Sequence, residues 1–148
     1  MTNIPHQALV LVGDGRKALF LRNTGDEVYP DLRVAQVLED AHQPHTAELG
    51  TDRPGRVRDH ASGRRSAVEQ TDWHELAEHA FAREVAAKLE LGVAKGEIDK
   101  LILVVPPKTL ADLRNALSSH VKDRVVAEIA KDLTKHPVPA IERLLIDA

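Results

Sequence analysis

Cysteine is absent from this chain of 148 residues, which excludes disulfides, a thiolate nucleophile and any cysteine-based zinc site. Aromatic residues are scarce, with one Trp, one Tyr and two Phe. None of them falls between Thr51 and Ser66, so that stretch gives no support to base stacking of the single-strand-binding kind. Long apolar runs are lacking as well. The longest, Ala8–Val12 and Leu101–Pro107, fall far short of the roughly 20 residues that a membrane helix needs. The segment from Met1 to His6 carries no basic region of the kind that opens a signal peptide. A cytoplasmic protein without a membrane partner is therefore expected. A phosphate-binding Gly-x-x-x-x-Gly-Lys run and a Gly-x-Ser-x-Gly nucleophile elbow are also missing, and no cofactor is expected.

Histidine is comparatively plentiful, with eight residues, yet the spacing does not assemble a metal site. His42 and His45 have no partner carboxylate on a regular element, and His74 and His79 lie about 140° apart around a helix. The lone Trp73 opens a helical stretch and reads as a packing anchor.

The regular elements alternate in an ordered way. Ala8-Leu-Val-Leu-Val12 reads as a short buried strand, Asp14-Gly15 as a two-residue hairpin turn, and Lys17–Arg22 as the returning strand. After a second turn at Asn23–Asp26, the stretch Val28 to Leu38 gives a third strand. Residues 39–72 show no sustained apolar period and read as a long loop; such loops in compact domains tend to be functional or disordered. A helix then follows, capped by Thr71 or Asp72, with Leu76, Ala80, Phe81, Val85 and Leu89 at helical spacing and Gly92 as its stop. Leu101–Val105 suits a central strand buried on both faces, ended by Pro106-Pro107. Thr109 and Asp112 resemble a capping box for a helix whose face is Leu110, Leu113, Leu117 and Val121. Arg124–Ala130 reads as a fifth strand with Val125, Ala127 and Ile129 on one side, and a last helix, about Pro139 to Ile146, presents Ile141, Leu144 and Leu145. The order βββαβαβα implies one α/β domain over residues 1–148: an RNase H-like mixed five-stranded sheet of order 3-2-1-4-5 with flanking helices.

Two places in that topology can carry chemistry. The carboxyl ends of strands one, four and five share an edge, where open α/β sheets bind ligands. Asp14, Lys108, Lys131 and Asp132 follow those strands, and Arg114 lies one to two turns into the helix after strand four. Two near carboxylates hold a divalent ion or share a proton, and adjacent lysines hold phosphate. The plainer alternative is that Asp14 serves its turn and Lys131-Asp132 is a surface pair. The second place is the loop. Between Thr51 and Ser66 the residues Arg53, Arg56, Arg58, Arg64 and Arg65 face only Asp52 and Asp59, a charge of +3 in a chain whose total is −3. Guanidinium groups on the flexible backbone of Pro54-Gly55 and Ser62-Gly63 suit phosphate recognition; a solvated charge run is the other reading.

Several stretches in one order carry a resemblance: Val12-Gly-Asp-Gly-Arg-Lys-Ala-Leu-Phe20, Glu48-Leu-Gly-Thr-Asp-Arg-Pro-Gly-Arg56, Phe81-Ala82, Leu103-Val-Val-Pro-Pro-Lys-Thr-Leu110 with Leu113-Arg114, and Lys131-Asp-Leu-Thr134. The chain resembles the bacterial host-attachment protein family, whose members are named as required for attachment to host cells. That family in turn resembles the middle domain of archaeo-eukaryotic release factors and of Pelota, which implies an RNase H-like fold. In release factors the corresponding loop carries Gly-Gly-Gln, which positions the water that hydrolyses peptidyl-tRNA. This sequence has no Gly-Gly-Gln; Arg53-Pro-Gly-Arg56 and Ser62-Gly-Arg-Arg65 stand there, with Gln70 alone later. The resemblance therefore implies a domain that binds RNA, tRNA or the ribosome through its arginines without that catalysis. A non-enzymatic factor acting through a protein partner is the alternative, and a metal-dependent phosphoesterase using Asp14 and Asp132 a further one.

Overall fold

The computed structural model describes residues 2–40 and 66–148, with side chains from Trp73 onward in the second stretch. The arginine-rich segment around Arg53, Arg56, Arg58, Arg64 and Arg65 lies outside the described residues. Five strands, β1 (Leu9–Gly13), β2 (Lys17–Asn23), β3 (Leu32–Glu39), β4 (Leu101–Val104) and β5 (Val125–Ile129), form one sheet of order β3-β2-β1-β4-β5. The first three run antiparallel as a meander, and β1, β4 and β5 run parallel. Among the described residues the helices are α1 (Ser66–Ala94), α2 (Pro107–Ala116), a single turn α3 (Ser119–Lys122) and α4 (Val138–Asp147). This is the expected α/β architecture and strand order.

The sheet is covered on both faces, and the period-two alternation of its strands sorts the core into two layers. Leu9, Leu11, Ala18, Phe20, Leu101 and Leu103 meet Phe81, Val85 and Leu89 of α1 and Leu110 and Leu113 of α2. Val10, Val12, Leu21, Ile102 and Val104 meet Ile141 and Leu145 of α4, together with Ile4 and Leu133. Each side chain of the Leu or Phe class buried in this way contributes about 1.5–3 kcal/mol. β4 is buried along its whole length, as its uninterrupted apolar run demands.

Several boundaries differ from the sequence reading. β3 begins at Leu32, because Asn23, Asp26 and Asp31 knit the residues before it into a turn. Buried Asn23 Oδ1 accepts the N–H groups of Gly25 and Asp31, both at 2.9 Å, and Asp26 Oδ1 accepts those of Val28 and Tyr29. The hairpin tip is Gly15-Arg16, closed by Asp14 N–H donating to Lys17 O at 2.9 Å. The described residues with positive φ are Gln7 and Gly96, so this tip is not a primed turn; the carboxylate of Asp14 holds it instead.

α1 starts at Ser66 rather than at a Thr71 or Asp72 cap, so residues 66–72 belong to a helix and not to the loop. Among its described side chains the first buried one is Ala77. Leu76 is consequently 64% exposed and Trp73 55% exposed, not the packing anchor expected. Nor does Gly92 end this helix: it lies inside it, where an added Cβ would come within 2.5 Å of Ile98 Cδ1, and the end is made by Gly96 at φ +76.

α2 begins at Pro107 with no side-chain cap, which places Thr109 and Asp112 inside the helix; Asp112 Oδ1 sits 2.9 Å from His79 Nδ1 of α1. Leu117 and Val121 do not continue that helix. Ser118 interrupts it, caps α3 through its hydroxyl, and donates from N and Oγ to the carboxylate of Glu90 at 2.7 and 2.8 Å. A register shift opposite Leu101/Ile102 turns β5, so Val125 packs on the α1 face while Ala127 and Ile129 pack on the α4 face. On α4, Ile141 and Leu145 are buried while Leu144 is 41% exposed.

Candidate functional site

The carboxyl ends of β1, β4 and β5 lie along one sheet edge, and the register places the start of β2 and the end of β3 there as well, through Lys17 opposite Glu39. Asp40 N–H continues the ladder by donating to Arg16 O at 2.9 Å. The first described side chains of α1 reach the same edge, since Arg16 Nη2 is 3.4 Å from His74 Nδ1. Asp40 and the part of α1 around His74, which lie on either side of the arginine-bearing segment in sequence, therefore belong to the edge that carries Asp14.

Asp14 divides its carboxylate between two tasks. Oδ1 accepts from Arg16 N–H at 2.7 Å and Lys17 N–H at 2.8 Å, which fixes the hairpin tip. Oδ2 lies 3.4 Å from Thr134 Oγ1. Thr134 is drawn to Asp132 more closely, its hydroxyl donating to Oδ1 at 2.6 Å and its N–H to the same oxygen at 2.9 Å. Between them, buried Leu133 sits in the α4-side core and fastens this loop to the body. Asp14 and Asp132 are thus gathered around one hydroxyl, which the sequence reading did not include. The signal for it was the Asp-x-Thr spacing, a common turn in which a side-chain oxygen binds a backbone N–H two residues on.

The cations separate. Lys108, at the start of α2, has Nζ 3.3 Å from Glu75 Oε1 and 3.7 Å from Glu78 Oε1, both on α1. Donation to the Glu75 carboxylate, then its charge and that of Glu78, hold the Lys108 ammonium above the usual lysine value. Glu78 also approaches the hairpin tip, since an added Cβ at Gly15 would come within 2.7 Å of its Oε2. Lys131 follows β5 with its N–H donating to Ile129 O at 3.0 Å. Arg114 pairs with Glu128, the residue before the last of β5, and that hydrogen bond and charge raise its pKa further. The edge is thus a mixed surface in which the carboxylates of Glu75 and Glu78 offset a lysine. Neither glutamate is marked by the sequence as a partner of Lys108, because 33 and 30 residues separate them from it.

Among the described residues no group of three or more His, Asp or Glu side chains gathers as a metal site requires, and no helix is long and apolar enough to cross a membrane.

Residues 9–145 match the family described as "Protein required for attachment to host cells". An uncharacterised protein of Rickettsia prowazekii (strain Madrid E) is 36% identical over 75 residues, 49% of this chain and 50% of that protein. The aligned part thus spans about half of that relative's length.

Proposed function

Because this chain belongs to the family of proteins required for attachment to host cells, we propose that its contribution is made by binding RNA or the translation machinery, as a release-factor-like domain that lacks Gly-Gly-Gln. The observation that carries this reading is the charge of the Thr51–Ser66 segment, five arginines against two aspartates in a chain of net −3. Arginine pairs bidentately with phosphate oxygens and keeps its charge at every physiological pH. The segment lies in sequence between Asp40 and His74, and both of those residues meet Arg16 at the sheet edge. No step of bond cleavage is assigned to Asp14 or Asp132, both of which are already committed to backbone turns.

The test is binding of purified ribosomes and of tRNA across a salt series. Affinity is expected to fall steeply with salt, and Arg53, Arg56, Arg64 and Arg65→Ala together to lower it by roughly a hundredfold or more at low salt as several phosphate contacts are lost. Unchanged affinity in that variant would sink the reading.

One observation favours a second reading, a protein-interaction factor. Trp73 and Leu76 stand three residues apart on α1 and are both more than half exposed, and aromatic residues of this kind anchor protein interfaces. Capture of the same partners from lysate before and after nuclease treatment, lost on Trp73→Ala, would favour it over RNA.

A further inference from the structure

A concavity of about 340 Å³ opens toward the opposite end of the sheet, between the second half of α1 and strands β2 and β3. Its existence follows from the edge strand. A register shift between Phe20 and Leu21 makes β3 bulge at Ala35, and Ala35 and Gln36 stay exposed rather than meeting the helix. Phe20 and Ile98 contribute an apolar floor. Its volume lies within the usual range for small-molecule sites.

The charges around it are uneven. Arg22, Lys88 and Lys95 line it together with a single acidic residue, Glu97. Arg22 is held in a particular way: Nη1 donates to Gln7 O and to Glu97 O, each at 2.9 Å. Both partners are neutral carbonyls, and among the described residues Nε and Nη2 have no hydrogen-bond partner. Those two N–H groups form the side-on fork that matches two oxygens of an oxyanion. Its cross-strand neighbour shows the contrast, since Arg33 spends its own Nε and Nη2 on the carboxylate of Asp31 at 3.1–3.2 Å. Lys88 on α1 and Lys95 in the turn just after it have no carboxylate partner among the described residues. The carbonyls of the last helical turn do not repel an anion here in the usual way, because Leu91 O, Gly92 O and Val93 O already accept from Lys95, Glu97, Ile98 and Gly96 N–H groups.

We propose that this concavity binds the dianionic phosphate of a small phosphate monoester bearing an apolar group. Arg22 Nε and Nη2 take two phosphate oxygens, Lys88 and Lys95 supply the remaining charge, and the apolar group lies against Leu91 and Phe20. Two cations in excess of the carboxylate match a dianion better than a monoanionic carboxylate. The site lies at the end of the sheet away from the edge that carries Asp14.

The probe is phenyl phosphate, titrated into the ¹⁵N-labelled full chain, with benzoate in parallel. Saturable amide shifts are expected at residues 20–22, 35–36 and 88–98 with phenyl phosphate. Lys88→Gln with Lys95→Gln, both at exposed positions, is expected to weaken binding by about tenfold or more, and Arg22→Gln to abolish it. The lysine variant keeps the test decisive if Arg22→Gln loosens the fold through Gln7 and Glu97. Absence of saturable shifts at these residues, equal affinity for benzoate, or wild-type affinity in the lysine variant would each overturn the assignment.

Discussion

Thr134 Oγ1 stands 3.4 Å from Asp14 Oδ2 across 120 residues of sequence, so the loop after β5 meets the turn between β1 and β2 through one hydroxyl. A hydroxyl carries one proton, and the 2.6 Å contact shows that it goes to Asp132. Asp14 therefore owes its place mainly to the two backbone N–H groups it accepts. Asp14→Ala is expected to lower unfolding stability by about 1–2 kcal/mol, as both turn bonds are lost, and Thr134→Val by less than about 1 kcal/mol. Urea denaturation of the two variants checks the order; a larger loss in Thr134→Val would contradict it.

Asn23 makes a sharper prediction because it is fully buried. Its Nδ2 donates to Ile4 O at 2.9 Å and Pro5 O at 3.1 Å, while Oδ1 accepts from Gly25 and Asp31. One side chain thus ties the residues before β1 to both ends of the β2–β3 connection. Asn23→Leu fills similar volume but removes the partners of Ile4 O and of the Gly25 and Asp31 N–H groups, while Pro5 O keeps the N–H of Ala8, at a cost of roughly 3 kcal/mol or more. Asn23→Asp removes only the donor side and introduces a buried charge, so it too is expected to destabilise. Thermal unfolding of both variants measures the effect.

The contrast between Asn23 and the strands explains what the sequence discloses. Alternation and apolar runs report on backbone-level choices, so β1, β2, β4, β5 and the strand order were legible. A buried polar hub was not, because Asn in a turn looks the same whether it faces water or a core. Gly92 misled for a related reason. Glycine after a helical stretch resembles a stop, yet here it admits Ile98 against the helix, a requirement set by a residue outside that helix. The edge was legible only in part. Topology brings Asp14 and Asp132 to one place, but the pairing of Lys108 with Glu75 and Glu78, and of Arg114 with Glu128, depends on helix rotation, which no local pattern encodes.

The Asp31–Arg33 pair on the surface gives a pH prediction. Hydrogen bonding from Arg33 is the main cause holding the Asp31 carboxyl below its ordinary value of 3.8. A carboxylate with a lowered folded pKa stabilises the fold above its unfolded value, and that contribution is lost as pH falls through the folded pKa. The pair is solvent-exposed, so its effect is small and screened by salt. Following the Asp31 carboxyl carbon by NMR from neutral to acid pH should give a midpoint below 3.8, and Arg33→Gln should move it upward. An unmoved midpoint would show that Thr24 and the turn, not Arg33, set the value.

The carboxylates that face Lys108 lead to a prediction opposite in sign to every arginine substitution. Glu75 and Glu78 hold its ammonium within 3.3 and 3.7 Å, so a phosphate approaching the sheet edge meets a lysine already neutralised and one negative charge in excess. Glu75→Gln with Glu78→Gln removes both charges and leaves similar shapes. If polyanions approach this edge, tRNA binding should tighten by a few fold at low salt, and its salt dependence should steepen by about one phosphate contact. The Lys108 pKa should fall back toward 10.5 in the same variant, which verifies by NMR that the pair has been broken. Tighter binding would place the polyanion at the edge beside α2; a Lys108 shift without any change in binding would confine it to the arginine segment alone.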